Sequence, residues 1–282
     1  MTPALSRAIH AAVKLALAED LRHGDVTTSA LFPRPVRARG TILAHQPLTI
    51  AGVAVATQVF WAVDSSLRII GAVRDGDTVR RNQPVIIVRG DARSLLKAER
   101  VALNFLQRLS GIATLTARFC DAVRGSRANI MDTRKTTPGL RALEKWAVSL
   151  GGGHNHRYSL GSGVLIKDNH LALSGHDAAA ACQRARKRNP QLQIEVEAKT
   201  LREVQSALSG NADIILLDNM TVPTMHRAMK LIGKRARVEV SGGITLANVR
   251  KIAALKPHRI SIGALTHSAP AANLSMDIAL IR

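Results

Sequence analysis

Apolar residues recur at three- and four-residue intervals over the first twenty positions, and the spacing predicts an amphipathic helix ending near Leu21. Arg7, Lys14, Glu19 and Asp20 interrupt that stretch, so it does not have the pattern of a secretory leader. Four shorter apolar runs follow, RARGTILAHQ, PLTIAGVAVATQVF, LRIIGAV and QPVIIVRG, and each predicts a strand. The Asp-Gly-Asp turn in DGDTVRRNQPVIIVRG, followed by alternating apolar residues, predicts hairpin-like pairing in an antiparallel or mixed sheet. Residues 92–122 then carry Leu95, Leu96, Leu103, Leu106 and Leu109 and predict a helix interrupted near Ser110-Gly111, where a domain boundary is expected.

From Asn129 onward the pattern changes. Short apolar runs, NIMDT, GVLIK, LQIEVEA, DIILLDN, ARVEVSG and HRISIG, come to alternate with helical stretches such as LREVQSAL, VPTMHRAMKLI and LANVRKIAAL. Strand and helix in alternation predict a parallel sheet, closed or half closed into a barrel with its helices outside, because right-handed crossovers put them there. The expected class is α/β: an N-terminal α/β sandwich domain over residues 1–110, completed by 270–282, and an open α/β barrel over 111–269.

Composition narrows the partners. Lys and Arg number 40 against 20 acidic residues, a formal charge of +20, which predicts an acidic ligand of some kind. Single-stranded nucleic acid needs aromatic platforms, and aromatic residues are only 2% of the chain; no finger or zipper motif offers a duplex-binding module. Arg184, Arg186, Lys187 and Arg188 on one helix have the pattern of a solvated face. Cys120 and Cys182 lie far apart without metal-ligand spacing, so neither a disulfide framework nor a zinc site is encoded. No apolar run approaches membrane-spanning length, which leaves the cytoplasm as the expected compartment.

The candidate chemistry collects where the later strands end: Asp132 to Lys135, Lys167, Glu197 with Lys199, Asp218-Asn219, Ser241-Gly242-Gly243 and Gly263-Ala264. Barrel sites form at the carboxyl ends of strands, so six polar or glycine ends in register predict one small-molecule site. Arg134, Lys135, His156, Arg157 and Lys167 repel one another unless a polyanion lies among them, and arginine forks with mobile lysines suit carboxylates and phosphates. Ser241-Gly242-Gly243 is expected to open a helix and cradle a phosphate through backbone N–H groups, with Gly263-Ala264 beside it. Glu197 and Asp218 suit hydroxyls, a phosphate-bound magnesium ion or positive charge that develops during reaction.

Several segments together resemble quinolinate phosphoribosyltransferases: EDLRHGDVTT, AERVALNFLQRLSGIATLT, DTRKTTPGLRALEKWAV, GGGHNHR, LIKDNH, IEVEA, LLDNM, VSGGIT and IGALTHSAP. The resemblance runs in order over nearly the whole chain. It implies transfer of phosphoribosyl from phosphoribosyl pyrophosphate to quinolinate with decarboxylation, giving nicotinate mononucleotide, pyrophosphate and carbon dioxide for NAD biosynthesis, with Mg2+ required. It further implies that Thr133, Arg134, His156 and Arg157, with Arg100 from a neighbouring subunit, bind the acceptor, and that Lys135 and Lys167 serve carboxylate and phosphate groups. By the same resemblance Glu197 and Asp218 lie near ribose and magnesium, Lys135, Glu197 and Asp218 act in catalysis, and Ser241 to Gly243 with Ile262, Gly263 and Ala264 hold the 5'-phosphate. A homodimer, or a hexamer, is implied. Ser162 and Asn273 stand where the family commonly has Asp, which admits a relative of the molybdate-operon type acting on another aromatic acid. A non-catalytic, basic, nucleic-acid-binding scaffold is the alternative of another class.

Overall fold

A computed structural model describes residues 1–175 and 177–281, which divide into two compact units. The first comprises Met1–Ala117, Thr136–Gly152 and Leu265–Arg282, the second Arg118–Lys135 and Gly153–Ala264.

In the first unit lie α1 (Pro3–Asp20), α2 (Val26–Leu31), β1 (Arg37–Ala44), β2 (Leu48–Thr49), α3 (Val53–Val63), β3 (Arg68–Ala72), β4 (Thr78–Val79), β5 (Pro84–Asp91) and most of α4 (Ala92–Ala122). Four of its strands form an antiparallel sheet in the order β12-β1-β5-β3, where β12 is Leu274–Leu280. Alternation along β1 turns Ala38, Gly40, Ile42 and Ala44 inward and Arg37 and Arg39 outward, as a sheet with one wet face requires.

Three expectations fail here. The run PLTIAGVAVATQVF is not one strand: after β2 it becomes α3. Gly52 takes φ +102° to turn the chain, and the half-buried Asp75 carboxylate accepts from the backbone nitrogens of Gly52, Val53 and Ala54 at 2.6, 2.9 and 3.1 Å. That capping, with burial of Val55, Ala56, Val59 and Phe60, overrides the strand preference of β-branched residues. Burial raises the Asp75 pKa even against those three bonds. The Asp-Gly-Asp turn closes no tight hairpin with the run directly after it, because β4 pairs with β2, although β3 and β5 on either side of the turn do pair antiparallel.

Helix α4 is also continuous through Ser110-Gly111. Ser110 Oγ exchanges 3.1 Å hydrogen bonds with the nitrogen and oxygen of Ala51, and a Cβ on Gly111 would stand 2.1 Å from the Pro270 carbonyl oxygen. The pair marks a close backbone approach rather than a break. A buried ion pair completes the unit: Glu144 of α5 (Arg141–Leu150) accepts from Arg108 Nη2 at 2.8 Å and from the Thr137 hydroxyl at 2.7 Å, anchoring the turn before α5.

The second unit holds β6 (Asn129–Met131), β7 (Val164–Ile166), α6 (Asp168–Ser174), α7 (Ala178–Arg188), β8 (Ile194–Ala198), α8 (Leu201–Ser209), β9 (Ile214–Asp218), α9 (Val222–Ile232), β10 (Arg237–Ser241), α10 (Val249–Ala253) and β11 (Arg259–Ser261). The short α11 (Ala264–His267) follows. The six strands form one parallel sheet ordered β6-β11-β10-β9-β8-β7, a barrel order left open between β6 and β7. Strands β8, β9 and β10 are buried almost throughout, as strands covered on both faces are. Asp177, Thr200 and Thr221 cap α7, α8 and α9 through their side chains, and Thr200 and Glu203 form a reciprocal capping box for α8. Every parallel strand therefore delivers its carboxyl end to the same edge of the sheet. Among the described residues no helix is long and apolar enough to cross a membrane.

Candidate active site

After β6 the chain stays near the sheet. Asp132 donates its backbone N–H to the His154 carbonyl at 3.0 Å, and its fully buried carboxylate accepts from the His156 backbone nitrogen at 2.8 Å. One aspartate thus fixes the loop carrying His156 and Arg157 against the segment carrying Thr133, Arg134 and Lys135. The Thr133 hydroxyl accepts from the Lys135 backbone nitrogen at 3.1 Å, closing a small turn that presents Lys135 to solvent. Arg157 donates to the Gly163 carbonyl at 2.9 Å. Burial lowers the Arg157 pKa and the nearby charge of Arg134 lowers it further, against Glu195, so the two guanidinium groups sense each other.

His156 meets two acids that the sequence did not single out. Its Nε2 lies 2.9 Å from Glu195 Oε2 on β8 and 3.4 Å from Glu239 Oε1 on β10. Ser261 donates its hydroxyl to Glu239, and Arg259 Nη1 lies 3.6 Å from Glu239 Oε2. Burial works against a charged imidazole, but the bond to Glu195 and the charges of Glu239 and Glu195 outweigh it and Arg259, so the His156 pKa is raised. Burial and the neighbouring Glu195 push the Glu239 carboxyl up as well. The three donor atoms lie within 4.8 Å of one another, a spacing that would admit a cation. Arg259 and the histidine already supply positive charge to both carboxylates, so the cluster needs no ion. The signal for it was legible in IEVEA and VEVSG, where a glutamate sits between apolar residues in mid-strand; strand patterning alone gave it no role.

A second group forms at the ends of β7, β8 and β9. Lys167 forms an ion pair with Glu197, and Lys199 Nζ lies 2.5 Å from Asp168 Oδ2. The Lys199 pKa is raised by Asp168 and, further off, by Glu197 and Asp218. Asp218 accepts from the Asn219 side-chain amide at 2.9 Å and aligns with Ser241 on the neighbouring strand. Gly242 and Gly243 take φ +93° and +61°, and a Cβ on Gly242 would stand 2.2 Å from Asn219 Oδ1. Both conformation and space therefore require glycine at 242.

These glycines do not open a helix, contrary to expectation. Asn248 donates to the Gly243 carbonyl and accepts from the Thr245 nitrogen, each at 2.8 Å, and this intervening turn delays α10 until Val249. Backbone N–H groups in the bend, rather than a helix end, are what the loop can offer a phosphate. Ile262 is buried and donates its N–H to the Met131 carbonyl at 3.0 Å, which sets Gly263 and Ala264 at the carboxyl end of β11. Arg100 belongs to the other unit and is exposed on α4. Ser162 exchanges bonds with Ser159 inside its own turn at 2.9 and 3.1 Å. Asn273 is exposed, and its carbonyl accepts from the His45 nitrogen at 3.0 Å.

Two family models match, described as the N-terminal and C-terminal domains of quinolinate phosphoribosyl transferase, over residues 25–110 and 112–277. A chloroplastic nicotinate-nucleotide pyrophosphorylase [carboxylating] of Arabidopsis thaliana is 43% identical over 289 residues, covering 96% of this chain and 82% of the relative. The corresponding protein of Mycobacterium leprae is 42% identical over 94% of this chain and 95% of its own. Among solved structures, NadC from Streptococcus pyogenes superposes with a TM-score of 0.93 at 38% identity, covering 100% of this chain and 99% of that one. The nicotinate-nucleotide pyrophosphorylase of Francisella tularensis superposes with a TM-score of 0.93 at 32% identity, covering 99% and 98%.

Proposed function

Because the chain belongs to the quinolinate phosphoribosyltransferase family, with matching models over both of its domains, we propose that it transfers phosphoribosyl from phosphoribosyl pyrophosphate to quinolinate with loss of carbon dioxide. The observation that carries the assignment in the molecule itself is the grouping of Arg134, His156 and Arg157 around the buried Asp132 tether, beside strand ends bearing acids and a glycine bend.

In this reading Thr133, Arg134, His156 and Arg157 bind the acceptor's two carboxylates, and Lys135 and Lys167 meet carboxylate and phosphate groups. The Ser241-Gly242-Gly243 bend and Ile262 to Ala264 receive the 5'-phosphate. Loss of pyrophosphate leaves oxocarbenium-like charge on the ribose, which Glu197 and Asp218 stabilise from one side while cations hold the leaving group on the other. Clamping the carboxylates aims the pyridine nitrogen at the anomeric carbon; orientation of that kind contributes up to ~7–11 kcal/mol. With the ring nitrogen quaternised, the neighbouring carboxylate leaves as carbon dioxide, its bonding pair stays on the ring carbon as an ylide stabilised by the adjacent positive nitrogen, and a proton taken up there from solvent completes the product.

The donor set fits magnesium: hard carboxylate oxygens of Glu197 and Asp218 end neighbouring strands, and this ion is commonly held by one or two carboxylates plus substrate phosphates. Bound there, it would neutralise charge on the pyrophosphate leaving group. Exposed Arg100 is the side chain we assign to a second copy's pocket, which makes a dimer the smallest complete unit. The cytoplasm is the compartment that fits a chain without a membrane-spanning helix among its described residues.

The decisive assay follows labelled carbon dioxide from carboxyl-labelled quinolinate in the presence of magnesium. Release is expected with phosphoribosyl pyrophosphate and not without it. Turnover of nicotinate in place of quinolinate would instead assign the chain to a relative with another acceptor, and no turnover of either would leave a binding scaffold.

A further inference from the structure

Glu195 and Glu239 are expensive residues. Each sits mid-strand in a parallel sheet with almost no exposure, and burying a carboxylate costs several kcal/mol that well-packed apolar residues would not. Each also keeps an oxygen, Glu195 Oε1 and Glu239 Oε2, that accepts no hydrogen bond among the described residues. Glu239 also meets Ser261 and Arg259 of the neighbouring β11, but the sheet's backbone ladder does not need either acid. Both instead converge on one atom, His156 Nε2, from two strands that flank β9. Two carboxyl groups face that ring from β8 and β10, and Arg259 from β11 lies against the one on β10. Arg134 and Arg157 complete the charged surroundings on the loop side.

We propose that Glu195 and Glu239 are positioning residues for His156: they fix its ring through Nε2 and hold its positive charge, so that the acceptor meets three cationic groups and a doubly charged acid is selected. This rests on the proposed role of His156 in binding the acceptor. Asp132 sets the backbone of that histidine and the two glutamates set its ring, so orientation is determined from both ends. A neutral imidazole in the same place would leave two cations, Arg134 and Arg157, facing two carboxylates.

The test uses the full chain and its Glu239→Gln, Glu239→Asp and Glu195→Gln variants. Magnesium is present, and quinolinate and phosphoribosyl pyrophosphate are varied in turn from pH 6 to 9. For Glu239→Gln the expected result is a rise of about tenfold in KM for quinolinate, KM for phosphoribosyl pyrophosphate within twofold, and a descending limb of kcat/KM for quinolinate that falls at a pH lower by about 1. Glu239→Asp should recover part of both. Equal changes in the two KM values with the limb unmoved would mean the glutamates only support the fold, and would overturn the proposal. Histidine-selective nitrogen-15 spectra decide the matter without substrate: His156 should remain an imidazolium to higher pH in the wild type than in Glu195→Gln or Glu239→Gln. Identical titration in all three overturns the proposal even where a variant is too unstable for kinetics. Failure of the wild type to consume quinolinate would sink the activity assignment, while these spectra would still judge what holds His156.

Discussion

A raised pKa at His156 is also a statement about stability. The group's pKa is raised in the folded protein, so its contribution is fully present below the unfolded value, about 6.5, and is lost as pH rises through the folded value. Glu239, also raised, acts with the same sign, because the native state binds the extra proton. His258 runs the other way: burial lowers its pKa, as do Arg127, Arg237 and Arg259, so it weakens the fold as pH falls below its ordinary range. Asp64 and Asp91, lowered chiefly by hydrogen bonds from Ser66 and Arg93, have delivered their contributions before pH 6 is reached. Comparing His156→Gln with the wild type reads the imidazole together with its coupling to Glu239, and leaves His258, Asp64 and Asp91 out of the difference. Urea midpoints should show the substitution costing more at pH 6 than at pH 8.5, by about 1 kcal/mol, since a tenfold difference in proton affinity between folded and unfolded chains is worth about 1.4 kcal/mol. A cost that is flat or grows with pH would mean the imidazole is neutral in the native state.

Helix α4 carries the clearest prediction among the elements. Gly111→Ala removes a residue that costs a helix interior about 1 kcal/mol, so propensity alone predicts stabilisation. The new Cβ would lie 2.1 Å from the Pro270 oxygen, and that neighbour is backbone, which cannot swing aside as a flexible side chain can. The clash should win, and the denaturant midpoint should fall by the equivalent of about 1–3 kcal/mol; an unchanged or higher midpoint would show that the 270 segment yields freely. The same position explains what patterning could and could not reveal. Ser110-Gly111 looked like a helix break because local sequence cannot distinguish a flexible glycine from one required by a segment that packs against it from far along the chain. α3 was hidden for a like reason: its β-branched run is buried on a long-range cap from Asp75. The parallel strands were legible because burial on both faces writes an apolar run flanked by polar ends, and those ends, Arg134, Lys167, Glu197 and Asp218, supplied the candidate site. Glu195 and Glu239 escaped because an acid alternating with apolar residues looks like the wet face of a strand, whereas in this sheet it points at a histidine.

For the molecule as a whole, a charge of +20 must be reconciled with folding, since like charges oppose the compact state and an anion that gathers them relieves the cost. Two kinds of relief are separable. Screening acts on every exposed cation and depends only on ionic strength, whereas the acceptor pocket we propose, with Arg134, Arg157 and Lys167 in it, should answer to one polyanion. Thermal melts at matched ionic strength should therefore rise more in pyrophosphate than in sodium chloride. At ten times its Kd the pyrophosphate excess corresponds to about 1.4 kcal/mol. With about 2–4 °C per kcal/mol for a chain of this order, that is a shift of several degrees. Arg134→Ala should abolish the excess and leave the chloride response intact, because it deletes one of 40 cations from the screened surface but a central one from the pocket. If the variant kept the full pyrophosphate shift, the surplus charge would be acting as a diffuse surface, and the basic residues of α7 would become the ones to remove next.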